Sequence, residues 1–381
     1  VARIETDPNY SSPTFSRATA GTDIFKKEDV QSVAAALSTH DHSTGKGLVV
    51  SVAGLAAGSI AGSALADGGV TSAKIADGTI VAADLADAGI TNAKLGPDVA
   101  RANLLTNGGF EIWQRGNGPF TASAAYCADR WQFALAGSDT LSISKDTTHQ
   151  ETGSACAAAT FTLGTGAGAT QLYQLLYMSD GNQLAGRTVS LSVRLYTGTA
   201  NAVRIAVQTA GTGGTTTYSA YHSGGNVWQT LTVTVAVPTT ATGVFPAIYF
   251  SASCGVYIDS AMLVVGSQAA NYVPLHPADD LARCLRYYEI LGPGGASTLN
   301  AGGIATGAGQ TFRQTLTYLR KAVTPTVTKS GTWALGNASG QPTVVNVDGQ
   351  GFLLAVSSAA AGDVWAQNSG AGACITAEAN P

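Results

Sequence analysis

His40 and His42 stand one residue apart, and on an extended chain residues i and i+2 point the same way. Imidazole is a common metal ligand. Three such chains on one axis would bring six imidazoles together, enough for an octahedral transition metal. The same segment also reads as a polar turn in which Asp41 and Ser43 bond backbone groups. Glu111 and Asp259 form a second pair, placed in the first and last strands of a β module. Carboxylates are hard oxygen donors that suit Ca²⁺, and they serve equally as plain hydrogen-bond acceptors. Trp113, Trp131 and Trp228 could stack sugar rings, because an aromatic face packs well on a pyranose. Tryptophan also serves cores and interfaces, and that reading stands beside the first.

Catalytic patterns are poor. No GxSxG, HExxH, P-loop or dinucleotide fingerprint occurs. His149, His222 and His276 have no recognisable partner pattern. Paired carboxylates for glycoside cleavage need not be close in sequence, so a surface-polysaccharide hydrolase is the enzymatic alternative to a non-enzymatic, adhesive protein. The net charge of −4 gives no basic patch for nucleic acid. No apolar run approaches the length of a membrane span. The opening VARIETDPNYSSPTF lacks the basic and apolar regions of a signal peptide. The dispersed Cys127, Cys156, Cys254, Cys284 and Cys374 read as reduced thiols in cores, and as assembly in a cytosol.

The elements that must position these residues fall into two kinds. Ile60, Leu65, Val70, Ile75, Ile80, Leu85, Ile90 and Leu95 recur every five positions, inside blocks that repeat every ten. A unit this short buries its apolar residue only against neighbours, so it builds a rod. The step of five does not keep one helical face, and the glycines lack the spacing of collagen. Extended chain with turns remains, either as several chains wound on one axis or as a small single-chain β-helix, and the first is the expectation. Of the 28 aromatics all but Tyr10, Phe15 and Phe25 lie beyond residue 100, which places the globular part there. A short helix is expected over 26–37, capped by Asp23. Alternation predicts strands over 188–196, 227–237 and 256–265. A second helix is expected over 278–291, with Leu281, Cys284, Leu285 and Tyr288 on one face. Strands resume in FRQTLTYL, TVTKSGTW and TVVNV.

Several segments resemble parts of tailed-bacteriophage fibre proteins. The stalk blocks resemble GTIT-x-x-K-IADG repeats, and HDHSTGKGL is similar to an element near the start of many such fibres. NLLTNGGFEIWQRG with ADRW resembles the phage β-sandwich module related to carbohydrate-binding jelly rolls. DLARCLRYYE and RKAVTPTVTKSGTW resemble the connector and the small terminal β domain that follow it. The resemblance implies a mainly β virion fibre on tail or head, a homotrimer docked on the particle by its N-terminus. Its distal modules would contact a host-surface glycan or receptor. A head or collar fibre with weak glycan binding is the alternative. It also implies a possible axial iron at His40 and His42, as in some phage spikes, and a possible structural Ca²⁺ at Glu111 and Asp259. The expected divisions are 1–47, anchor with a short helix and the HDH turn; 48–100, decapeptide-repeat stalk; 101–275, jelly-roll sandwich; 276–292, connecting helix; and 293–381, C-terminal β domain.

Overall fold

The computed structural model describes Gln31, Ile60, residues 65–85 and residues 101–380, less 166–168, 181, 294–296, 370 and 371. His40, His42, Ile90, Leu95 and the helix expected over 26–37 (save Gln31) lie outside the described residues. The chain separates into two compact units, Val1–Ala86 and Asp87–Pro381.

In the first unit, residues 65–85 make one tight turn every five residues. The bonds Gly69 N to Ala66 O (2.7 Å), Lys74 N to Thr71 O (2.9 Å), Thr79 N to Ala76 O (3.1 Å) and Asp84 N to Val81 O (2.9 Å) close them. Each donor is followed by an apolar residue: Val70, Ile75, Ile80 or Leu85. Turns of two kinds alternate, which explains a ten-residue repeat over a five-residue beat. In one kind Gly68 and Gly78 take φ of +70° and +77°, a conformation glycine adopts without strain. In the other, short 3-10 turns cover Ser72–Lys74 and Ala82–Asp84. The variable slot serves both signs of charge: Lys74 Nζ donates to Gly69 O (2.7 Å), and Asp84 Oδ2 accepts from Val81 N (2.9 Å). The segment is thus a succession of tight turns, with extended backbone at Thr71 and Ile75 on either side of the Ser72–Lys74 turn. Within one chain Leu65, Val70, Ile75, Ile80 and Leu85 are each between 39% and 55% exposed.

In the second unit the sandwich strands are β1 Gln132–Ala134, β2 Thr140–Asp146, β3 Cys156–Thr162, β4 Thr170–Tyr173, β5 Leu176–Tyr177 and β6 Thr188–Thr197. They continue with β7 Val203–Gly211, β8 Thr216–Tyr221, β9 Val227–Ala236, β10 Ala241–Phe250 and β11 Cys254–Val265. One antiparallel sheet runs β1-β4-β10-β7-β8, with β5 also on β10; the other runs β2-β3-β11-β6-β9. Alternation drives the packing. Val189, Leu191, Val193 and Leu195 of β6 point inward to meet Ile205, Val207, Ile248 and Phe250 of the facing sheet. Pro246 sits inside the central strand β10 and has no N–H to give. It lies opposite the break between β4 and β5, where the Gln174 N–H donates to its carbonyl (3.1 Å).

The second helix is shorter than expected. α1 spans Pro277–Leu285, and residues 288–291 form a strand instead. The reason is tertiary: β12 Tyr288–Leu291 pairs with the last strand, β20 Cys374–Glu378. The buried residues of α1 are Asp280 and Cys284, while Leu281 is exposed. Between them run β13 Asn300–Ala305, β14 Thr311–Thr317, β15 Thr326–Ser330, β16 Ala334–Gly336, β17 Thr343–Val345, β18 Gly351–Ser357 and β19 Gly362–Gln367. They form three three-stranded sheets, β12-β20-β15, β13-β19-β16 and β14-β18-β17. These share one core of Trp333, Phe352, Leu354, Val364 and Ile375. Cys127, Cys156, Cys254 and Cys284 are buried, and all five cysteines are unpaired thiols.

Candidate functional site

Glu111 and Asp259 are drawn to the same loop. Glu111 lies in an irregular segment before β1, not in a strand. Its Oε1 accepts from Ser154 N (2.7 Å) and Ala155 N (3.3 Å), and Ser154 Oγ donates to Oε2. Asp259 sits at a bulge in β11, where Ser260 takes φ of +53°. Its Oδ2 accepts from Glu151 N (2.9 Å) and Thr152 N (3.1 Å), and Oδ1 from Ser260 N (2.6 Å). Burial pushes the Asp259 carboxyl above its ordinary range, against the pull of these donors. As placed, the two carboxylates are acceptors that tie down residues 151–155. Each of the four carboxylate oxygens already accepts at least one N–H or O–H bond, so a hard cation here would have to share or displace these donors. Among the described residues no three His, Cys, Asp or Glu side chains group as metal ligands.

Two of the three tryptophans are core residues. Trp113 donates from Nε1 to Phe110 O (2.6 Å) and stacks on Phe120. Trp131 donates to Asn107 O (3.0 Å) and stacks on Phe110, with centroids 4.7 Å apart. Trp228 is half-buried on the outer side of β9 and meets Tyr196 of β6, which meets Tyr257 of β11. His149 stacks on Tyr257 (3.9 Å). The other two histidines are structural. His222 is buried and bonds Leu195 O and Gly224 N, and His276 caps α1 through Ala278 N.

The FEIWQRG and ADRW segments build a joint between the sandwich and the C-terminal sheets. Arg115 lies 3.6 Å from the Tyr288 ring centroid and pairs with Glu378 (2.5 Å). Arg130 lies 3.7 Å from the Tyr287 ring and donates to Asn380 Oδ1 (2.9 Å). Gln114 Nε2 donates to Tyr288 O (3.0 Å) and to the buried Asp129. Arginine suits this place because its planar cation stacks on a ring and bonds in its own plane.

The surface with binding chemistry is the outer face of the β1-β4-β10-β7-β8 sheet, which sequence reasoning missed. Small residues make its floor: Ala247 of β10 and Ala206 of β7 stand side by side, flanked by Tyr173 and Tyr218 in the same row. The next row is Gln171, Tyr249, Arg204 and Tyr221. A bulge in β8 rephases the strand, so Tyr218 and Tyr221 both flank Arg204, at 3.7 and 4.7 Å from their ring centroids. Gln208 donates to Gln171 (2.6 Å), and the Tyr173 hydroxyl donates to Gln132 (2.8 Å). Arg204 Nε is buried and has no hydrogen-bond partner among the described residues. Such an orphan is costly unless something satisfies it. Burial raises the Tyr173 and Tyr249 phenols above their ordinary value, so both are O–H donors across the usual pH range. Ala206, Ala247 and Tyr249 are buried in these rows, so what the face presents is the exposed Tyr218, the half-buried Tyr173 and Tyr221, the amides of Gln171 and Gln208, and the Arg204 cation. The signal was present in sequence as Gln171/Tyr173, Arg204/Ala206/Gln208 and Phe245/Ala247/Tyr249, each set two residues apart.

Comparison with known proteins gives no match to any family model and none to a curated protein. Among solved structures, the CBM22-1 xylan-binding domain from Paenibacillus barcinonensis Xyn10C is 13% identical with a TM-score of 0.32, covering 45% of this chain and 98% of that one. The C-terminal family 22 carbohydrate-binding module of Clostridium thermocellum Xyn10B is 18% identical, at TM-score 0.29, covering 43% and 100%. The enzymatically active domain of bacteriophage CBA120 tailspike protein 4 is 15% identical, at TM-score 0.30, covering 43% of this chain and 21% of that one. At these TM-scores no ligand, activity or partner is transferred from them.

Proposed function

We propose that this chain is an adhesive fibre subunit whose sandwich binds a glycan on its tyrosine-rich outer face. The observation that carries this is the row of Tyr173, Tyr218 and Tyr221 around an Arg204 that has an unmet donor, seated on the buried Ala206, Ala247 and Tyr249. A sugar ring has an apolar C–H face and a polar rim of hydroxyls. Flat rings meet the first, and amide, phenol and guanidinium groups meet the second. Recognition of this kind needs positioned donors on a rigid sheet, which these strands provide. The reading is binding without cleavage.

The stalk joins this proposal as the means of assembly. Apolar side chains exposed every five residues support burial against other copies, and a homotrimer is the proposed state. Three copies would add avidity, so weak contacts at each sandwich would suffice. The virion-docking role of residues 1–47 and a place on tail or head belong to the same proposal and rest on the sequence resemblance. The test is binding of the purified full chain to immobilised host-surface polysaccharide, together with competition against whole particles adsorbing to host cells. Saturable binding and slowed adsorption are expected. A trimer that neither binds nor competes would make the chain a decorative fibre.

A further inference from the structure

The C-terminal domain carries a second aromatic surface, unrelated in sequence or position to the tyrosine face. Trp365 lies at the middle of β19, the central strand of the β13-β19-β16 sheet. Its two cross-strand partners are Gly302 on β13 and Gly336 on β16. A Cβ at Gly336 would fall 2.2 Å from the indole Nε1 and 2.3 Å from Cε2; one at Gly302 would fall 3.1 Å from the Trp365 Cβ. The indole therefore lies down across Gly336, and glycine is required there for it to lie flat. Yet Trp365 remains 39% exposed. No ring among the described residues stacks on it, in contrast to Trp113 and Trp131.

Around it is a groove of about 550 Å³, within the range of small-ligand sites. Asp363, two residues before Trp365, Asn300 of the paired strand β13 and Gln314 of β14, from the β14-β18-β17 sheet, line it. The Asp363 carboxylate makes no ion pair or hydrogen bond among the described residues, and the side chain of Asn300 makes none either. Ile304, 76% exposed and paired across the strands with Asp363, and Leu316 add apolar surface to the groove, but an unengaged carboxylate and two amides beside the indole would be costly to desolvate in a protein interface. The groove is well matched to a sugar, whose C–H face would rest on the ring while its hydroxyls donate to Asp363 and accept from the amides.

The geometry points to a saccharide subsite on the β13-β19-β16 face, centred on Trp365, with Asp363 as the principal hydroxyl acceptor. It would take a neutral oligosaccharide, because the acceptor carboxylate would repel an anionic one. This inference rests on the C-terminal domain alone and does not depend on the sandwich reading.

The test is native affinity electrophoresis of the full chain in gels cast with soluble neutral polysaccharides: a glucan, a galactan, a xylan and a mannan, one per gel. Wild type, Trp365→Ala, Trp365→Phe, Asp363→Asn and Arg204→Ala are run side by side, with sedimentation of each variant. In at least one gel W365A should weaken retardation tenfold or more, D363N three- to tenfold, and W365F less than threefold. Equal retardation of wild type and W365A in every gel would overturn the inference, as would wild-type migration unaffected by all four polymers. Retardation lost in R204A but retained in W365A would place the binding on the sandwich and also overturn it. A change in sedimentation caused by W365A or by D363N would assign the face to a second copy of the chain instead. If W365A does not fold, D363N and W365F decide by the same criteria.

Discussion

Val70 in the stalk and Val193 in β6 are the same side chain in opposite circumstances. Val193 is buried in the sandwich core, while Val70 is half exposed in a chain taken alone. Both follow from spacing. Val193 belongs to a period of two, and a second sheet of the same chain covers its face. Val70 belongs to a period of five, and each intervening turn spends its hydrogen bonds locally. No strand neighbour and no opposing layer is specified for it. The sandwich sequence covers its own apolar face; the repeat leaves its apolar side chains half exposed within one chain, and their burial against other copies is what the proposed assembly supplies.

The largest expected effect comes from breaking that half-interface. Ile75→Asp with Ile80→Asp should abolish assembly of the full chain, because burying unpaired carboxylates costs more than the lost contacts. Sedimentation should show monomers, while the β-sheet circular dichroism stays as in the wild type. A loss of both signals would show that the stalk and the sheets fold as one. Conversely, Leu195→Ala should cost the sandwich about 2–5 kcal/mol and leave the subunit number unchanged. Denaturant unfolding monitored by tryptophan fluorescence would measure it.

Arg115→Ala comes next in size. It removes the stack on Tyr288 and the pair with Glu378, together worth about 1–3 kcal/mol. Its signature is loss of cooperativity: two unfolding transitions where the wild type has one, because the joint no longer couples the sandwich to the C-terminal sheets. A single transition would show that other contacts carry the coupling.

Smaller still is a pH effect. Burial raises the carboxyls of Asp129, Asp259 and Asp280 above the ordinary value of 3.8. The folded state therefore holds these protons more tightly than the unfolded state. Their contribution to stability is fully present below about 3.8, falls as pH rises through the raised values, and is constant above them. Asp280→Asn keeps an acceptor for Asn107 N and removes one of the three groups. It should flatten the thermal-melting profile between pH 4 and neutrality without lowering stability at pH 7. A steeper profile would contradict the assignment.

The legible part of this molecule was the part with local cause. Thr188–Thr197 and Val227–Ala236 were readable because one face of each meets a core, so apolar and polar residues alternate. The pentad beat and the presence of turns were readable because the unit repeats and is rich in turn formers; the alternation of two turn kinds, with glycine at positive φ in one and a 3-10 turn in the other, was not. The second helix was read six residues too long because the pairing of Tyr288–Leu291 with Cys374–Glu378 is a contact across some ninety residues. For Trp113 and Trp131 the core reading holds over the sugar-stacking one, a choice that sequence leaves open because a core tryptophan and a surface one look alike in it. FEIWQRG and ADRW carry arginines whose partners, Tyr287, Tyr288 and Glu378, are remote in the chain. The tyrosine face went unseen for the same reason: its rows are made by β4, β10, β7 and β8 lying side by side, an order that spacing along the chain does not reveal.

The most direct test of the account is the affinity of full chain carrying Arg204→Ala and Tyr218→Ala for host-surface polysaccharide, measured beside wild type. Neither side chain contributes to the sandwich core, so the melting temperature and the subunit number should be close to those of the wild type. The account predicts binding at least tenfold weaker, with adsorption of particles no longer slowed by the soluble chain. Unchanged affinity in a folded, fully assembled double variant would contradict it.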